Sequence, residues 1–89
     1  MKIVINTDFG GFGLSEMGEE LYTELSGEKY TYDVERTDPF IVRVVERLGN
    51  AANGRYSELK VVEIPDDVSW YIHDNDGVET IHEDHRRWS

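Results

Sequence analysis

Gly10, Gly11 and Gly13, with Ser15 just beyond them, are the residues of this chain whose type and spacing come nearest to a binding loop. Glycine lets main-chain amides approach a ligand closely, and a helix N-terminus behind such a loop favours an anion. The spacing matches neither G-x-G-x-x-G nor the Lys-containing phosphate loop, no Lys or Arg follows closely, and Asp8 and Glu16 would oppose an anion. The structural alternative is a tight strand-to-helix turn in which Phe9 and Phe12 fold onto the core. If both rings face solvent, they become anchors for a partner protein or platforms for a base. The candidate ligand or partner loop is therefore Phe9, Gly10, Gly11, Phe12, Gly13 and Ser15.

The last third of the chain collects His73, Asp74, Asp76, Glu79, His82, Glu83, Asp84 and His85, all of them types that ligate divalent ions. His82 and His85 lack the H-E-x-x-H spacing. Asp74, Asp76, Gly77 and Glu83 fall in a calcium-loop register, but Ile72 stands where its first acidic ligand belongs. No metal site is expected. Asp74, Asp76, Glu79, Glu83 and Asp84 read instead as an acidic surface around a polar hairpin tip. No serine sits in a nucleophile elbow, and no pair of acids is singled out for acid–base work. The expectation is a protein that is not an enzyme, with no catalytic residue and no cofactor.

Nineteen Asp and Glu against nine Lys and Arg give a formal charge of −10 over 89 residues. Such a field repels nucleic-acid backbones and anionic membranes, so neither direct nucleic-acid binding nor membrane binding is expected. It favours solubility, attracts basic surfaces, or imitates a nucleic acid. The absence of cysteine rules out disulfides and thiolate sites and fits a reducing cytosol. The apolar stretch at Ile3-Val4-Ile5 is too short for a signal sequence, and no run is long enough to span a membrane.

These residues need a scaffold, and the hydrophobic pattern supplies one. Ile3-Val4-Ile5 reads as a buried strand. A helix follows from Glu16, capped by Ser15, with Met17, Leu21 and Leu25 on its inner face and Gly27 at its end. Tyr30, Tyr32 and Val34 alternate with polar residues and read as a short edge strand or merely an extended segment. Asp38-Pro39 opens a second helix, whose stripe of Phe40, Ile41, Val44, Val45, Leu48 and Ala52 runs to a stop at Gly54. Residues 59–64 read as a second central strand, ended by Pro65. Val68, Trp70 and Ile72 alternate as another, Asp76-Gly77 marks a turn, and residues 78–81 return antiparallel. Residues 83–88 are a strand end or a short helical tail. The fold expected is a single α+β domain over residues 1–89. It is a two-layer sandwich with a mixed sheet of three to five strands under two amphipathic helices, in the order β-α-(β)-α-β-β-β.

Seven segments stand out together: Lys2-Ile3-Val4-Ile5-Asn6, Gly10-Gly11-Phe12-Gly13-Leu14-Ser15, Asp38-Pro39, Ala52-Asn53-Gly54, residues 59–66, Asp76-Gly77-Val78-Glu79 and His85-Arg86. Their combination resembles a group of small uncharacterised acidic proteins of tailed bacteriophages. That group has no assigned activity, so the resemblance implies a setting, the host bacterial cytoplasm during infection, where small acidic phage proteins bind or block host factors. The functional expectation is a non-enzymatic interaction protein that binds or inhibits a host protein through an acidic, aromatic-anchored surface. The alternative is a binder of an anionic nucleotide or nucleotide-derived signal at Gly10–Ser15. A homodimer is compatible with either.

Overall fold

Ile3, Val4 and Ile5 are stiff at χ1 and fit an extended backbone. They form β1 (Lys2–Asn6) in the computed structural model, which describes residues 1–84. β1 pairs antiparallel with β2 (Leu59–Glu63), Val4 lying opposite Val61. Every residue of β1 after Lys2 is buried and β2 is half-buried, but the two pair only with each other, so neither is a central strand as expected.

α1 (Glu16–Ser26) starts and stops where its capping residues dictate. The Ser15 hydroxyl accepts from the Gly18 N–H at 3.0 Å, and Gly27, at φ 77°, donates its N–H to the Thr23 carbonyl. The buried face differs from the one expected. Gly18 and Tyr22 point inward, Leu21 and Leu25 are partly buried, and Met17 is 57% exposed. The cause is close packing at Gly18, where a Cβ would stand 3.3 Å from the Leu14 side chain and 3.4 Å from the Ala52 carbonyl. Neighbouring residues lie about 100° apart around a helix, so turning Gly18 inward turns Met17 outward.

α2 (Pro39–Leu48) is capped by Asp38, whose carboxylate accepts from the Phe40 N–H at 2.8 Å, and buries Ile41, Val42, Val44 and Val45. The α-helix ends at Leu48 rather than running on to Gly54, because Gly49 adopts φ 57° and leaves the helical region. A 3₁₀ turn, Gly49–Ala52, continues the path and carries Ala52 into the core. No strand forms at residues 30–35. Tyr30 is 6% exposed and Tyr32 81%, so alternate residues do not share a face, and turns occupy the segment.

β3 (Ser69–Asn75) and β4 (Val78–Asp84) make a hairpin in which Asn75 faces Val78 and Ile72 faces Ile81. Asp76 at φ 55° and Gly77 at φ 90° form the two-residue turn, and two successive positive φ angles are the type I′ signature that fixes register. The hairpin reaches Asp84, beyond the 78–81 expected; the tail reading of residues 85–88 lies outside the described residues.

The fold is α+β, with two helices and four described strands. The strands make two separate antiparallel pairs, β1–β2 and β3–β4, in place of one mixed sheet. The reason lies at the free edge of β1. The Val4 N–H donates to the Arg36 carbonyl at 2.9 Å and the Asn6 N–H to the Glu79 carboxylate at 2.9 Å, so no ladder to β4 can form there. Val4 and Val61 pack with the helices, while Ile3, Ile5, Val62 and Ile64 pack with Trp70, Ile72 and Ile81 on the inner face of the hairpin.

Candidate functional site

The end of β1 is fixed by Asn6, which is fully buried. Its Nδ2 donates to the Asp8 and Gly77 carbonyls, each at 2.8 Å, and its Oδ1 accepts from Glu58 N–H at 2.8 Å and Asp8 N–H at 3.3 Å. A primary amide offers two donor hydrogens and one oxygen with two lone pairs, and all four are used. Three segments distant in sequence thus meet at one side chain.

The glycine loop is laid against its neighbours by close backbone approach. A Cβ on Gly10 would stand 1.9 Å from the Tyr56 carbonyl oxygen, and one on Gly77 would stand 2.3 Å from that of Phe9. The Gly13 carbonyl accepts from Gly54 N–H at 3.1 Å and from the Ser57 hydroxyl at 2.7 Å. Between the laced loops lies an open cleft of about 240 Å³, lined by residues 10–14 and 54–57 and by Tyr32.

The two phenylalanines part company. Phe9 is 75% exposed, while Phe12 is partly buried against the core with the Arg36 guanidinium carbon 3.8 Å from its ring centre, a cation–π contact. Tyr32, at 81%, and Tyr56, at 64%, supply the other exposed rings beside the cleft, and Arg55 lies over Tyr56 at 5.5 Å. Of the expected loop, Gly10, Gly11, Phe12 and Gly13 line the cleft, whereas Phe9 and Ser15 are outside its lining. Ser15 is a structural cap. Its hydroxyl donates to the Ala51 carbonyl at 2.6 Å and its N–H to that of Ala52 at 2.9 Å, which sets the start of α1 against the 3₁₀ turn.

The acidic surface loses one member. Asp74, Asp76 and Glu83 are exposed, but Glu79 is 6% exposed, so its place on that surface is corrected. Both its oxygens take the Arg36 guanidinium, Nη1 on Oε1 and Nη2 on Oε2 at 2.9 Å. Burial follows from its position two residues before Ile81, on the hairpin's packed face. Asp84 is the last residue of β4. On the outer face His82 stacks on Tyr71 at 5.3 Å and meets the edge of His73 at 5.5 Å. No group of three or more ligand-type residues is placed to hold a metal ion among the described residues. No helix among them is long and apolar enough to cross a membrane.

Beneath Tyr32 the Tyr30 ring is buried, and its hydroxyl has no partner among the described residues. Burial, and then the negative charge of Glu19, push its pKa up to about 12. The Tyr22 hydroxyl donates to Asp38 at 3.2 Å and is also shifted upward, first by burial and then by that carboxylate. Sequence reasoning missed Asn6, Tyr32, Arg36, Arg55 and Tyr56. Glu79, in phase with Ile81, carried a signal for a buried acid in need of a cation; Arg36 and Arg55 carried none. Comparison with family models, with curated proteins and with solved structures returned no match.

Proposed function

We propose that this chain is a non-enzymatic binding protein that docks a partner protein at the aromatic rim of the cleft between residues 10–14 and 54–57. One observation carries the reading. Phe9, Tyr32 and Tyr56 are 75%, 81% and 64% exposed in a chain too small to leave large rings uncovered freely, and all three belong to the cleft or to the loop that forms it. Aromatic side chains lose little conformational entropy on contact and dominate binding energy at interfaces. Covering Phe9 alone removes roughly 150 Å² of apolar surface from water, a gross gain of about 3–4 kcal/mol before the costs of association.

The loops are suited to present these rings, since Asn6 and the Gly13–Gly54–Ser57 bonds fix the backbone on either side. The exposed carboxylates of Asp74 and Asp76, on the hairpin turn, are placed to steer a basic surface during approach. The setting proposed is phage-encoded action on a host factor in the bacterial cytoplasm, and its support is the sequence resemblance.

The test is capture from a bacterial lysate by the intact chain and by Phe9→Ser and Tyr56→Ser variants whose folding is confirmed by circular dichroism. A protein retained by the parent and lost by both variants supports the reading. Retention indifferent to both substitutions overturns it.

A further inference from the structure

We infer that the group entering the cleft is a carboxylate of the partner protein, carried on a loop or chain end, so that this acidic chain recognises an acidic residue. The inference rests on the cleft being the docking site. Asp and Glu make up 19 of 89 residues, yet none lines the cleft, whereas Arg55 does. Arg55 has no carboxylate within ion-pair reach among the described residues. The main-chain N–H groups of Phe12, Gly13, Arg55 and Tyr56 donate to no acceptor among those residues either. A cleft whose lining holds one guanidinium and no carboxylate favours an anion. A lysine or arginine entering there would meet Arg55 and no counter-charge.

Gly13 gives an independent reason to treat the cleft as a place kept open. Gly10, Gly54 and Gly77 are required by backbone contacts, since a Cβ on each would come within 3.0 Å of a neighbouring carbonyl oxygen. Gly13 has no such need. Its φ is not in the left-handed region, and a Cβ there would meet nothing within 4 Å. What its missing side chain achieves is free space in the cleft.

The carboxylate is a local group on the partner: Arg55 attracts it at contact, while Asp74 and Asp76 act at longer range on the rest of the partner's surface.

The test uses the intact chain, ¹⁵N-labelled, with sodium acetate as the carboxylate probe at constant ionic strength. Acetate should shift the amides of Phe12, Gly13, Arg55 and Tyr56 saturably. Arg55→Gln should weaken this about fivefold or more, and Gly13→Leu should abolish it while the spectrum stays dispersed. Absence of saturation, or equal shifts with methylammonium chloride, would overturn the inference. Adenosine monophosphate acting on the same amides at least about tenfold more tightly than inorganic phosphate would also overturn it, since the site would then be made for a nucleotide. Acetate shifts with capture indifferent to Phe9 and Tyr56 would keep the anion site and remove the docking reading; capture lost on those substitutions without acetate shifts would do the reverse.

Discussion

Replacing Glu79 by alanine should cost about 3–4 kcal/mol of folding stability. The carboxylate is almost wholly buried and accepts three hydrogen bonds, two from Arg36 and one from the Asn6 main chain. Its loss strands a guanidinium whose side chain is 21% exposed, and a main-chain N–H inside the core. Breaking one side of a buried pair costs about 3–5 kcal/mol, and an orphaned buried donor about 1–3. The lower end applies, because Arg36 keeps some water and its contact with Phe12. Glu79→Gln retains an acceptor for Asn6 and should cost only about 1–2 kcal/mol. With a urea slope near 1 kcal/mol/M, the alanine variant should lower the unfolding midpoint by about 3 M. Pairing Arg36→Met with Glu79→Leu removes the stranded guanidinium but leaves the Asn6 N–H without its acceptor, so it should recover only part of the loss and stay about 1–3 kcal/mol below the parent. A cost below about 1 kcal/mol for Glu79→Ala, or a double-mutant coupling near zero, would refute this account of the β1 edge.

Asn6→Ala removes four hydrogen bonds at once and should lower stability by about 2–4 kcal/mol, read as a fall in thermal midpoint. Gly10→Ala drives a methyl group into the Tyr56 carbonyl and should cost about 2 kcal/mol or more, whereas Gly13→Ala enters open space and should stay within about 0.5; equal effects in urea titrations would contradict the loop geometry. Tyr30 has its folded pKa raised from 10.0 to about 12, so the unfolded chain loses this proton first as pH rises. The stability it contributes is complete below pH 10 and is lost as pH approaches 12. Tyr30→Phe should flatten that alkaline decline without lowering stability at neutral pH, and an unchanged alkaline profile by circular dichroism would be the contrary result.

Legibility followed local signals. Ser15, Gly27, Asp38 and Pro39 set helix ends through contacts within a few residues, and the structure places the helix boundaries they dictate. Gly49 is not legible as a helix end, because Leu48 and Ala52 keep the apolar period on either side of it. The turn at Asp76-Gly77 is legible from its residue types, and its two positive φ angles pair Asn75 with Val78 although the flanking strands are polar. The division into two sheets is not legible, because β-branched runs say where strands form and nothing about what occupies their edges. At β1 the occupant is Arg36, which no pattern connects with residue 4. The glycine loop was found by composition; its opposite wall at residues 54–57 was not, because a cleft is a relation between segments and only one of them bore a motif. Phe9 and Phe12 look alike in sequence, and what separates them is that Phe12 packs on the core under the Arg36 cation while Phe9 is exposed.

The distance between β1 and its partner has a consequence for biosynthesis. β1 ends at residue 6 and β2 begins at 59, so at roughly 5–20 residues per second a ribosome needs about 3–10 s to deliver the second strand after the first. For that interval Ile3, Val4 and Ile5 are made but unmatched, a β-branched apolar run without its partner strand. The lysine before them and the asparagine, threonine and aspartate behind them flank the stretch with polar groups that discourage self-association until the rest of the body arrives.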